Sequence, residues 1–131
     1  MTTPLEIVLS YHRAWTSQDF DLAMTYLADD MVCHAPAGRL VGAEAFRGFM
    51  EPFSQILVSS ELVGSFGDET TAMLMYDTST RPVADAPGAE LHTVRDGKIV
   101  ELRIIFDRLP FEQARTVAAT RSAPPEGAQT E

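Results

Sequence analysis

His92, Asp77 and Tyr11 are the side chains in this 131-residue sequence whose types suit acid–base chemistry on a small organic substrate. An imidazole held by a carboxylate gains basicity and a fixed tautomer, and a phenol can donate its proton to a substrate oxygen. Proton abstraction next to a carbonyl, or opening of an epoxide, needs that combination. Cys33 is the only cysteine, which excludes a disulfide framework, a four-thiolate zinc site and a paired-thiol redox motif. With no basic neighbour to lower its pKa, it reads as a small apolar wall residue rather than a nucleophile. Three scattered histidines with no carboxylate at ligand spacing do not make a metal site, and no cofactor is expected.

Whether these groups meet depends on the elements that carry them. Thr3-Pro4-Leu5-Glu6 reads as an N-cap, a first-turn proline and a carboxylate three residues on, so a helix starts there, with Val8, Tyr11 and Trp15 on one stripe. His12 flanks that stripe and is expected at solvent. A second helix fits Asp19 to Leu27. Met31 to Ala35 and Arg39 to Val41 read as short strands, with Cys33 and Ala35 inward and His34 outward. A third helix spans Ala43 to Gln55, brings Phe46, Phe49 and Phe53 to one face, and is expected to kink at Pro52. Strands follow over Ile56–Phe66, Thr70–Ser79, Gly88–Arg95 and Lys98–Asp107, then a helix over Phe111–Ala119.

The facing of His92 turns on the loop that follows it. If Asp96-Gly97 form a two-residue turn, His92 lies opposite Glu101 and faces solvent; if Arg95-Asp96-Gly97 form a three-residue loop with a bulge, it lies opposite Val100 and faces inward with Leu102 and Ile104. The preceding loop, centred near residue 84 or 85, would set Asp77 across from His92 as its dyad partner; an exposed strand-end aspartate is the alternative. Tyr11 is either the electrophilic donor or a core tyrosine. Asp107 is expected to cap or pair structurally.

This order of elements is an α+β pattern, a strongly curved, mostly antiparallel sheet around three N-terminal helices. Three short helices cannot fill such a sheet, which leaves an apolar pocket, the usual small-molecule site. Trp15, Phe49, Phe53, Leu102, Ile104 and Phe106 are expected to shape it, with Met75 lending plasticity. Nineteen acidic against ten basic residues give a net charge of -9, which argues against nucleic acid as a partner. The opening residues lack the basic and apolar regions of a signal peptide, and no apolar run approaches the roughly 18 residues that span a bilayer. No membrane is expected as a partner, and a cytoplasmic location is. Residues 1–121 are expected to form one domain, and 122–131 a disordered tail.

Val8-Leu9-Ser10-Tyr11 through Trp15-Thr16-Ser17-Gln18-Asp19, Tyr26-Leu27-Ala28-Asp29-Asp30, and Gly97-Lys98-Ile99 through Phe106-Asp107 form an ordered set across residues 5 to 115. It resembles the nuclear transport factor two-like superfamily, in its SnoaL-like polyketide cyclase, ketosteroid isomerase and limonene epoxide hydrolase branches. The resemblance implies a cone-shaped α+β barrel with a deep pocket, a homodimer through the outer sheet face, and a three-residue loop after His92. In the isomerase pattern the first-helix tyrosine falls on Tyr11 and the acid of the penultimate strand near Glu90, a pocket position, while the general base falls on Ala35. In the hydrolase pattern an Arg-x-Asp falls on Met75-Tyr76-Asp77, the second Asp on Ile104, and the water-positioning Tyr and Asn on Cys33 and Ala35. Neither set is complete. Three functions follow as expectations: a cofactor-free isomerase, cyclase or hydrolase on a hydrophobic cyclic substrate; a non-catalytic small-molecule binder; or a protein-interaction scaffold.

Overall fold

Thr3 opens the first helix as its spacing predicts: its hydroxyl accepts from the Glu6 amide at 3.2 Å, and Pro4 occupies the first turn. The computed structural model describes residues 2–122. Its helices are α1 (Pro4–Thr16), α2 (Phe20–Met24), α3 (Ala43–Ile56) and α4 (Leu109–Ser122). Its strands are β1 (Leu27–Ala35), β2 (Gly38–Val41), β3 (Leu57–Gly67), β4 (Thr71–Thr80), β5 (Gly88–Arg95) and β6 (Lys98–Phe106). The six strands form one mixed, curved sheet in the order β2-β1-β6-β5-β4-β3, parallel only between β1 and β6. The architecture is the expected α+β cone, but the sheet does not close into a barrel, and β2 and β3 are its edges.

Several boundaries differ from expectation. The second helix ends at Met24, and β1 begins at Leu27, because Leu27 pairs with Ile99 of β6 before a register shift ahead of Val32. Asp29 and Asp30 sit exposed in that irregular stretch instead of ending a helix. α3 runs through Pro52 to Ile56, and α4 begins before Pro110, which takes a first-turn position where a proline is tolerated. Ser122, expected in the tail, is the last residue of α4; 123–131 lie outside the described residues.

Gln18 ties the helices to the sheet. It adopts a left-handed φ of 63°, and its side-chain amide donates to the carbonyls of Ser54 at 3.1 Å and Leu57 at 3.2 Å, across the α3–β3 junction. Ser54 donates from its hydroxyl to the Trp15 carbonyl at 2.5 Å. These bonds hold the α1 stripe against the sheet, where Val8, Tyr11 and Trp15 are fully buried with Phe46 and Leu102.

Candidate functional site

The hairpin that aims His92 combines both geometries expected for it. Asp96 (φ 53°) and Gly97 (φ 77°) form a two-residue turn with Arg95 opposite Lys98. The register then slips between Thr93 and Val94, so Thr93 faces Glu101 and Val100 is the extra residue. The slip turns His92 to face Leu102 instead of Glu101, and the side chain is 0% exposed. The expected three-residue loop is therefore absent; a bulge inside β6 inverts the parity in its place.

Asp77 is not the partner of His92. On β4 it pairs with Glu61 of β3, and it is exposed on the outer face, while His92 lies across from Ala72. Met75 shares the outward parity and is exposed, so it forms no pocket wall. The carboxylate that meets the imidazole is Glu90, two residues earlier on the same strand and hence on the same face. Glu90 Oε1 lies 3.0 Å from His92 Nε2, with both side chains fully buried. The Tyr76 hydroxyl donates to Glu90 Oε2 at 2.5 Å. Gly88 allows this placement, since a Cβ there would sit 2.9 Å from the Tyr76 ring.

Electrostatics follow from this packing. Burial, the largest single influence, pushes the Glu90 carboxyl up, but the His92 imidazole and the Tyr76 hydrogen bond outweigh it and hold the group below its ordinary value. Burial, then the Glu90 charge, raises the Tyr76 and Tyr11 phenols well above theirs, so both are proton donors and not phenolates. The same causes push the Cys33 thiol up to about 12, as befits a wall residue.

Tyr11 packs its ring 5.7 Å from that of His92, yet its hydroxyl is wholly buried with no partner among the described residues. His12 is buried rather than solvated, its ring 5.0 Å from Trp15 and 5.2 Å from Tyr76, and burial lowers its pKa. His34 sits on the outer face of β1, 3.0 Å from Glu101, and Asp107 accepts from the Leu109 amide at 3.0 Å at the start of α4. Among the described residues no group of His, Cys, Asp and Glu could hold a metal ion.

A cavity of about 370 Å³ opens between α3, α4 and the inner sheet face. Phe49, Phe53, Ile104 and Phe106 line it, together with Phe111 of α4 and Ala86 and Pro87 of the β4–β5 loop. Trp15, Cys33, Glu90 and Leu102 lie in the buried core behind this lining instead, and Ala35 is half-buried outside it. Tyr76 is the residue common to the lining and to the buried Glu90–His92 pair, and it is 2% exposed, which places it at the inner end. Sequence reasoning placed Tyr76 only between two other residues of a motif; its even-numbered position with Ala72 and Leu74 was the available signal.

A six-stranded curved sheet with helices packed on one face is the cone-shaped α+β fold. Residues 8–102 match the model of the SnoaL-like domain, and the chain belongs to that family. A crystal structure of a Kribbella flavida DSM 17836 protein is 62% identical, with a TM-score of 0.88, covering 92% of this chain and 99% of that one. An NTF2-like protein of unknown function from Cytophaga hutchinsonii ATCC 33406 is 22% identical with a TM-score of 0.72, covering 86% of this chain and 96% of its own. A candidate polyketide cyclase from Sinorhizobium meliloti is 24% identical with a TM-score of 0.67, covering 76% and 94%. No curated protein matches the chain.

Proposed function

We propose that the protein binds a small hydrophobic molecule in the cavity. The observation that carries this reading is the cavity itself: about 370 Å³, walled by phenylalanines, and floored by a single phenol. That volume falls in the range of about 300–1,000 Å³ typical of ligand pockets. Trp15, the only tryptophan, reports on it, because its ring lies 5.6 Å from that of Tyr76 and 5.7 Å from that of Phe53. Titration with a cyclic ketone such as 1-tetralone is expected to change Trp15 fluorescence saturably, with Kd below about 1 mM. An unchanged signal across the titration contradicts the reading.

The Tyr76–Glu90–His92 chain favours a second reading, acid–base catalysis by a cofactor-free isomerase, cyclase or hydrolase. As the α C–H bond of a ketone breaks, its electron pair moves onto the substrate oxygen as an enolate, the proton goes to the Tyr76 oxygen, and the Tyr76 proton goes to Glu90, which becomes a neutral carboxyl, so no free phenolate forms. In this assignment Tyr76 and Glu90 replace Tyr11 and Asp77, while His92 stays. The resemblance of the fold to a candidate polyketide cyclase agrees with it. Deuterium exchange at the α-carbon of bound 1-tetralone separates the two readings. A binder leaves the solution rate unchanged, and a catalyst raises it until Tyr76→Phe removes the effect.

A homodimer is part of the proposal. Phe66, Met73, Met75, Leu91 and Ile105 are exposed and lie on adjoining strands, Phe66 opposite Met73 and Met73 opposite Leu91. An apolar sheet face of this extent marks an association surface, and a second copy of the chain brings an equal apolar face to it. Sedimentation equilibrium is expected to give twice the chain mass, and Ile105→Asp with Met75→Asp the single mass; a monomeric parent protein contradicts it. No described helix is long and apolar enough to cross a membrane.

A further inference from the structure

The charged residues that line the cavity are both arginines, Arg108 at the start of the segment into α4 and Arg115 two turns along that helix. Both are exposed, whereas Tyr76 is buried, so the guanidinium groups stand at the mouth and the phenol at the inner end. Among the described residues no carboxylate lines the cavity. Arg108 meets Glu112 at 3.2 Å in an exposed i,i+4 pair, and Arg115 makes no ion pair among the described residues. An exposed pair of that kind is weak, so Arg108 can exchange Glu112 for a better acceptor.

We infer that the cavity takes an amphiphile, an apolar ring system with a carboxylate that Arg115 and Arg108 bind at the mouth. This rests on the cavity being a small-molecule site. Guanidinium is planar and presents paired N–H donors that match the two oxygens of a carboxylate, and its charge persists at any working pH. At a net charge of -9 the overall field repels anions, yet both charged residues among the described lining of this opening are basic. A neutral ligand would gain nothing from their charge.

Phe111 makes α4 part of the recognition. Its ring lies 6.1 Å from Phe53 and 5.9 Å from Phe106, which seats the helix over the apolar wall and sets Arg115, one turn further, above the opening. The apolar body of the ligand meets the phenylalanines while its charged end stays in partial contact with water, which avoids the cost of burying a carboxylate.

Calorimetry with 2-naphthoate and its primary amide tests the inference, since the two share one ring body and differ in charge. The wild-type protein is expected to bind naphthoate about tenfold more tightly than the amide, each arginine adding a few-fold. Added salt should erode that preference, and Arg108→Gln/Arg115→Gln should abolish it, so that the two probes bind equally. Both arginines are exposed, so the variant folds. Equal binding of the two probes by the wild type, or a preference that survives the double substitution, overturns the carboxylate assignment and leaves the cavity reading standing. Failure of both probes to bind overturns the cavity reading, and the inference with it.

Discussion

Replacing His92 by leucine is expected to cost about 3–5 kcal/mol of stability at neutral pH, because it strands the Glu90 carboxylate in a dry core. Both side chains are fully buried, and leucine fills much the same space, so the loss comes from charge and not from a void. In the wild type the Glu90 carboxyl is held below its ordinary value. The unfolded chain then takes up this proton first, so the contribution is present above the ordinary carboxylate range and is lost as pH falls through the folded value. In His92→Leu the sign reverses. Burial, now opposed only by the Tyr76 hydrogen bond and the weaker influence of His12, raises the carboxyl, and protonation at lower pH relieves the strain. The stability gap between the two proteins should therefore be widest above pH 6 and narrow towards pH 4, as read by urea denaturation midpoints. A gap that is absent, or constant with pH, contradicts the pairing.

The second large effect is on binding. Ala86 and Ile104 stand on opposite parts of the wall, one on the β4–β5 loop and one on β6. Ala86→Trp or Ile104→Trp puts an indole into space that the ligand needs, and each is expected to weaken binding of 1-tetralone by about a hundredfold or more. Overpacking of this kind costs about 1–3 kcal/mol of stability, which circular dichroism will register as a modest fall in Tm. Val41→Trp, on the exposed edge strand β2, is the control that leaves affinity unchanged. Undiminished binding in both wall variants would place the ligand elsewhere.

The scaffold was legible in the sequence because local chemistry specifies it. Thr3 and Pro4 announce α1, Asp96-Gly97 announces the β5–β6 hairpin, and the stripe of Val8, Tyr11 and Trp15 identifies the buried helix face. The site was harder to read, since it depends on parity and parity is lost at a single extra residue. Val100 is that residue, and its trace in the sequence is the phase slip from Ile99 to Leu102 across Glu101. Asp77 was misplaced because the loop was centred near residue 84 or 85, whereas β4 and β5 pair about residue 82, which sets Ala72 and not Asp77 opposite His92. Glu90 and His92 are two residues apart on one strand, a spacing that alone puts them on one face. His12 follows Val8 by four and precedes Trp15 by three, so it too belonged to the buried stripe. The lining from α4 could not be read, because a helix seated mainly through Phe111 leaves no periodic pattern.

The binding expectations depend on an open apolar space that reaches inward to Tyr76. A crystal structure of the protein with 1-tetralone bound tests this most directly. The account predicts the bicyclic ring among Phe49, Phe53 and Phe106, with its inner edge against the Tyr76 ring. A cavity closed by those same phenylalanines, with the ketone absent or seated on another surface, would contradict it.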